Sequence, residues 1–304
     1  MLDFKSIVDL LEKLPTEQKC IDYFTSIRWA NGAYCPYCGN QRIFHYADKK
    51  NHKCSACKKR FSIKVGTIFE NTKVSLKKWF IAVFQVTTHK KSLSSLQLSR
   101  DINVTQKTAW FMLHRIREAT KLESFNSPLK GTVEVDETYI GGKEKNKHKN
   151  KRVEGTQGRS TKTKTVVIGM IERNGNAKAQ VIKSVNAKTV EKIAMNNVVI
   201  GSTILSDEWK AYKILEKFYN HAYVNHNLGE YVRGIASTNT IESFWAVFKR
   251  GIVGSYHSIS KKHTERYLNE FIFRCNCKNY NLSNMFNVIL FNTGSYLSYK
   301  ALVS

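Results

Sequence analysis

Two C-x-x-C pairs, Cys35-Pro36-Tyr37-Cys38 and Cys54-Ser55-Ala56-Cys57, constrain the front of this 304-residue chain more than any other feature. Fifteen residues separate them. Four thiolates presented by two tight turns suit one tetrahedral zinc ion. Gly39, directly after Cys38, helps the first turn open towards the metal. No strand-helix context surrounds either pair, so a redox dithiol does not fit. His45 and His52 lie inside the loop, but four cysteines already complete the ligand set. Cys20, Cys275 and Cys277 lack such partners and read as packing residues. The spacing predicts a zinc ribbon over residues 31–65.

Helical spacing flanks the ribbon. Ile7, Leu10, Leu11 and Leu14, then Cys20, Tyr23, Phe24 and Ile27, predict two N-terminal helices over residues 1–30, with Pro15 opening the second. Residues 66–125 are expected to form a helix-turn-helix-like DNA-binding region, with three more helices over 66–122 starting near Lys77, Ser94 and Thr105 and a linker over 123–131. Residues 92–117 fit a helix-turn-helix. Leu93, Leu96 and Leu98 would supply its core and Asn103-Val104-Thr105 its turn. Gln106, Lys107 and Thr108 would start the recognition helix, with Arg115 and Arg117 further along as DNA contacts.

A larger domain is expected over residues 130–293, followed by a tail over 294–304. Its order is strand (132–140), basic loop (141–163), strand (164–172), Asn-Gly turn, strand (177–183), helix (187–197), strand (202–206), helix (208–217), strand (221–225), helix (239–251) and helix (261–280). Asn174-Gly175 between apolar runs is a hairpin signal. Three strands with a hairpin, then alternating helices and strands, predict an α/β fold. It is a ribonuclease H-like mixed sheet flanked by helices.

That order would gather three distant acids. Asp136 ends the alternation Val133-Glu134-Val135-Asp136, Asp207 follows an apolar strand, and Glu242 lies on the helix that begins near Asn239. Such a trio can hold two divalent cations about 4 Å apart, which clamp the entering and leaving oxygens of a phosphoryl displacement. Strand alternation turns Glu137 and Glu208 away from their aspartate neighbours. Formal net charge is +25, from 49 basic against 24 acidic residues, so the phosphodiester is expected to be nucleic acid. Lys143, Lys145 and Lys147 sit in the basic loop beside the Asp136 strand, where they could grip phosphate; Lys249 and Arg250 follow Glu242 by two helical turns. No G-x-x-x-x-G-K-[ST] loop is present, so no nucleotide cofactor is expected. No apolar run reaches a membrane span and the start lacks a secretory signal, which points to the cytoplasm and to no membrane partner.

These strings together resemble bacterial insertion-sequence transposases with a zinc ribbon and a DDE catalytic domain, the group related to Merlin elements. The resemblance rests in front on Arg28-Trp29-Ala30-Asn31-Gly32, Cys35-Pro36-Tyr37-Cys38, Phe61-Ser62-Ile63-Lys64-Val65-Gly66-Thr67 and Thr108-Ala109-Trp110-Phe111-Met112. Later it rests on Val135-Asp136-Glu137-Thr138-Tyr139-Ile140-Gly141-Gly142-Lys143, Ser206-Asp207-Glu208, Thr238-Asn239-Thr240-Ile241-Glu242-Ser243-Phe244-Trp245 and Lys249-Arg250-Gly251. It implies a Mg²⁺- or Mn²⁺-dependent enzyme that cuts and joins double-stranded DNA at its element's terminal inverted repeats and at a target. It also implies a homo-oligomer, a dimer or larger, and gives the metals to Asp136, Asp207 and Glu242. Some relatives carry asparagine as the third catalytic residue, and Asn239 stands one turn before Glu242; the need for negative charge favours Glu242. Where such proteins often carry histidine, this chain has Ser237. The alternative readings are a non-catalytic DNA-binding regulator derived from a transposase, or a ribonuclease H-like nuclease.

Overall fold

Short capped helices begin the chain. The computed structural model describes residues 1–142, 144–156, 160–207, 209–224 and 237–304, without the side chains of Lys145 and Val224. Ser6 caps α1 (Ile7–Lys13) by accepting from Asp9 N, and Thr16 caps α2 (Glu17–Arg28) by accepting from Lys19 N. The ribbon follows as a three-stranded antiparallel sheet in the order β1 (Ile43–His45), β2 (Asn51–Cys54), β3 (Arg60–Ser62). Helix α3 (Leu76–Thr88) starts at Ser75, and Glu17 accepts from its Leu76 N and Lys77 N at 2.8 and 3.0 Å. Helices α4 (Ser95–Asp101) and α5 (Gln106–Ala119) are joined by the expected turn, in which Asn103 takes a left-handed φ of 49°. Leu93 and Leu98 are buried as expected; Leu96 is 51% exposed, because it faces outward from α4.

The chain divides into two compact units, Met1–Lys121 with Asn279–Ser304, and Leu122–Lys278. The expected domain end at residue 293 is therefore corrected to 278. Helix α9 (Leu282–Phe291) puts Phe286 edge-on to Phe4 and Phe80, with ring centroids 5.2 and 5.5 Å apart, so it completes the core of the first unit. An apolar helical stripe demands a partner but does not name it. The expected tail carries a last short helix, α10 (Tyr299–Val303), whose Leu302 is buried.

In the second unit the sheet order is β6-β5-β4-β7-β8. Strands β4 (Thr132–Ile140), β5 (Thr165–Glu172) and β6 (Ala177–Ile182) are antiparallel; β7 (Thr203–Asp207) runs parallel to β4, and β8 (Asn220–Val224) parallel to β7. This is a ribonuclease H-like sheet. Asn174, with φ of 61°, makes the turn between β5 and β6. One face packs Val133, Val135, Ile168 and Met170 against α6 (Ala187–Asn197) and the 3₁₀ helix Lys210–Lys217. The other packs Val167 and Ile171 against α7 (Asn239–Gly251) and α8 (Thr264–Asn276). Burial on both faces explains why β5 is apolar at nearly every position rather than alternating. The helix expected over 208–217 is a tighter 3₁₀ helix from Lys210, and the one expected over 261–280 is shorter. Asn276 ends it by bonding Ala177 N and O at the β6 edge.

Candidate active site

Parallel pairing of β4 with β7 brings the two aspartates together. The register sets Val133 beside Ile204 and Glu134 beside Leu205, the last pair; Asp136 and Asp207, where β7 ends, each lie two residues beyond it. Carboxylate oxygens of Asp136, Glu137 and Asp207 all lie within 4.8 Å of one another. A divalent cation with ~2.1–2.4 Å bonds to oxygen can span that spread, and hard carboxylate donors are the right chemistry for it. The Asp207 carboxylate also accepts from Trp209 N at 3.1 Å.

Glu137 is a residue that sequence reasoning set aside. Its side chain does leave β4 on the opposite face, where Oε2 accepts the buried Tyr212 hydroxyl at 2.7 Å. Its length nevertheless returns the carboxylate to the aspartates. The D-E pair in the sequence was the only signal for it, and alternation argued against it. Burial pushes the Asp136 carboxyl up to about 7; Glu137, Asp207 and then Glu242 add like-charge repulsion. Burial and the Glu137 carboxylate likewise raise the Tyr212 phenol well above its ordinary range, so it stays a donor.

Glu242 lies in the first turn of α7, exposed, and accepts the Thr238 hydroxyl at 2.9 Å. It is close enough to repel the Asp136 charge but lies outside the 4.8 Å group. Asn239, the first residue of α7, is also exposed, as are Lys249 and Arg250 in its last turn. Lys147 is exposed and pairs with Glu144 at 2.6 Å. Lys143, Glu208 and the Lys145 side chain lie outside the described residues.

Four sulfurs form a second candidate metal centre. Sγ atoms of Cys35, Cys38, Cys54 and Cys57 lie within 4.8 Å of one another, with Cys35–Cys57 and Cys38–Cys54 both at 3.6 Å. A tetrahedron with ~2.3 Å Zn–S bonds has edges of ~3.8 Å, so the set fits zinc. Gly39 and Lys58, each just after the second cysteine of its pair, take left-handed φ of 74° and 60°. The two knuckles thus share one turn geometry. His45 and His52 meet each other instead, Nδ1 to Nδ1 at 3.0 Å, and both rings pack edge-on to Trp29.

Two expected DNA contacts on α5 need correction. Arg115 is 3% exposed and donates to Leu297 O, Ile68 O and Glu70 O at 2.9, 2.9 and 2.6 Å. Arg117 is 1% exposed. Two positions apart, they leave α5 on nearly opposite sides, and both are buried because Met112 to Arg117 are buried in succession; basic residues read as phosphate contacts only when the helix turns them to solvent. Lys107 is exposed at the start of α5, with Nζ 4.9 Å from the Tyr299 ring centroid.

No described helix is long and apolar enough to cross a membrane. Residues 15–60 match the transposase zinc-ribbon domain, and residues 128–276 match the ISXO2-like transposase domain. A protein of Halobacterium salinarum, described as an uncharacterized protein in transposable element ISH50, is 30% identical over 272 residues, 85% of this chain and 90% of that one. Two Mos1 structures, a pre-cleavage transpososome and a paired-end complex with left transposon end, are each 14% identical. They cover 68% and 72% of this chain and 76% and 80% of theirs, at TM-scores of 0.20 and 0.25, values too low to bear on the assignment. On the two domain matches and the relative that spans most of both, the chain belongs to the ISXO2-like transposases, with their zinc ribbon ahead of the DDE catalytic domain.

Proposed function

We propose that this transposase binds the terminal inverted repeats of its own element, cleaves a DNA strand there and joins the freed end to target DNA. The observation that carries this reading is the meeting of Asp136, midway along β4, with Asp207, at the end of the parallel strand β7, with Glu242 near enough to be felt by Asp136. Asp136, Asp207 and Glu242 are the residues that would hold Mg²⁺ or Mn²⁺. When bound, such cations stabilise charge on the entering and leaving oxygens of an in-line phosphoryl displacement.

The chain's own residues do the rest. Tyr212 holds Glu137 by one oxygen and so keeps that carboxylate turned to the cluster. Asn239 stands one turn before Glu242, where its amide could bind a scissile phosphate or the cation. Lys249 and Arg250 at the other end of α7, and Lys143, Lys145 and Lys147 in the basic loop, would balance DNA phosphates. The zinc-bound thiolates of Cys35, Cys38, Cys54 and Cys57 would fix the ribbon, which with the start of α5 grips the terminal repeat. Cutting two ends together calls for a dimer or larger assembly, and a chromosomal substrate places the work in the cytoplasm.

Labelled element ends with Mg²⁺ or Mn²⁺ test the reading. Asp207→Asn should lose ~4 kcal/mol of transition-state stabilisation, a fall of about 10³-fold in strand cleavage, while end binding stays within a few-fold. Cleavage at the wild-type rate by Asp207→Asn would remove the acidic site from the chemistry. Binding without any cleavage by the wild-type protein would favour a DNA-binding regulator.

A further inference from the structure

We infer that Glu134 is a positioning residue that sets Glu242 against the two aspartates. The inference rests on the reading that Glu242 helps to hold the cation. Glu134 and Asp136 are two residues apart in β4 and so share the α7 face of the sheet. The Glu134 side chain is 1% exposed, and burying a carboxylate is costly unless it is paired and fully bonded.

Among the described residues its bonds lead to the start of α7, directly or through Arg173. Oε2 accepts from Thr240 N at 2.8 Å and from Ile241 N at 3.0 Å. Oε1 accepts the Thr240 hydroxyl at 3.0 Å and Arg173 Nε at 3.1 Å. Arg173 in turn donates to Ser237 O and Oγ at 3.2 and 2.6 Å, just before the helix. The first N–H groups of a helix have no partner inside it and are usually met by the N-cap side chain. Here a strand carboxylate meets them, and the N-cap hydroxyl of Thr238 is donated to Glu242. One turn of α7 is thereby clamped to β4 two residues from Asp136, and that turn carries both Asn239 and Glu242.

A second contact fixes how close the helix lies. Gly169 pairs with Asp136 across β4 and β5, and a Cβ built on it would meet Trp245 Cζ2 at 2.5 Å and Ile241 Cδ1 at 3.3 Å. The helix rests on the strand where a side chain is missing. Glu134 holds its first turn; Gly169 admits its second.

The test is Mn²⁺ titration of the full-length protein, read by calorimetry without DNA and by cleavage of labelled ends. Glu134→Gln keeps the shape but loses the charge. It should raise the half-saturating Mn²⁺ concentration about 10–100-fold, with cleavage recovering at high Mn²⁺ and end affinity within a few-fold. Glu134→Asp is too short to span from strand to helix and should not restore the wild-type curve. Should Glu134→Gln fail to fold, Arg173→Gln decides: it leaves the carboxylate in place and should shift the curve the same way by less. Wild-type Mn²⁺ curves in the folded variants, with Glu242→Gln shifted, would overturn the clamp alone. An unshifted Glu242→Gln would overturn the reading on which it rests.

Discussion

The molecule gathers two sets of metal-ligating atoms by opposite means. Four sulfurs come from two knuckles within 23 residues, each knuckle closed by its own turn. The acidic cluster instead draws Asp136 and Asp207 from strands 71 residues apart and leaves Glu242 to a helix beyond both. In the ribbon the ligands and the fold are the same few residues, so the metal and the local structure stand or fall together. In the catalytic domain the sheet is buried on both faces, and the aspartates sit on its two inner strands β4 and β7 at some cost. Burial and mutual repulsion already push the Asp136 carboxyl up to about 7. A contiguous site is stabilised by its metal; a dispersed one is stabilised by its scaffold and strained by its own charge.

The largest expected effect breaks the ribbon and leaves the sheet. Structural zinc contributes ~10–16 kcal/mol of apparent binding free energy in small ribbons and fingers. Chelation, or Cys54→Ser, should abolish amide protection over β1–β3 while β4, β5 and α7 keep theirs, as read by hydrogen exchange. Metal analysis of purified protein should find about one zinc per chain. Undiminished protection in β2 after zinc removal would show that the ribbon is held by its core and erase the contrast.

Next in size is Arg115→Ala. The guanidinium donates to three carbonyl groups and lies 4.4 Å from the Phe111 ring centroid and 5.4 Å from that of Tyr296. Removing it leaves those carbonyls without their charged donor and should cost about 3 kcal/mol or more in denaturant unfolding. The change should act on stability, with no change in the salt dependence of DNA binding. Gly169→Ala follows, and it sharpens the account of the dispersed site. Overpacking of this kind costs ~1–3 kcal/mol. A methyl group there must push Trp245 and with it α7, so the variant should lose stability and also need more Mn²⁺ for half-maximal cleavage. Loss of stability with an unchanged Mn²⁺ requirement would separate helix packing from cation geometry.

Much of this was legible in the sequence because the signals were local. C-x-x-C spacing, Asn-Gly turns and apolar alternation each act within a few residues, and α6 occupies the span that its periodicity predicted. The two aspartates were readable because an apolar strand precedes each. What escaped depends on partners distant in the chain. Glu137 joins the cluster by side-chain length, against the parity of its strand, with Tyr212 holding it from 75 residues away. Arg115 and Arg117 looked like phosphate contacts because a basic residue on a helix carries no mark of the face it takes. The expected domain end at residue 293 takes in the span of α9, which belongs to the first unit, since an apolar stripe fits any complementary surface.

Lys107 carries the smallest and most discriminating expectation. It stands exposed on the first turn of α5, where a recognition helix presents its N-terminal side chains to DNA. Its Nζ also lies 4.9 Å from the Tyr299 ring centroid, a cation–π contact worth ~0.5–1 kcal/mol at an exposed site. The two roles leave different traces. If Lys107 meets a phosphate, Lys107→Ala should lower end affinity by several-fold and reduce the slope of log K against log salt by about 1, with little change in unfolding. If it serves only to hold α10, the salt slope stays and the loss falls on stability alone. Lys107→Gln, which removes the charge and keeps most of the chain length, should reproduce the slope change. A preserved slope in both variants would move the DNA-reading surface of the first unit off the start of α5 and leave the ribbon as its better candidate.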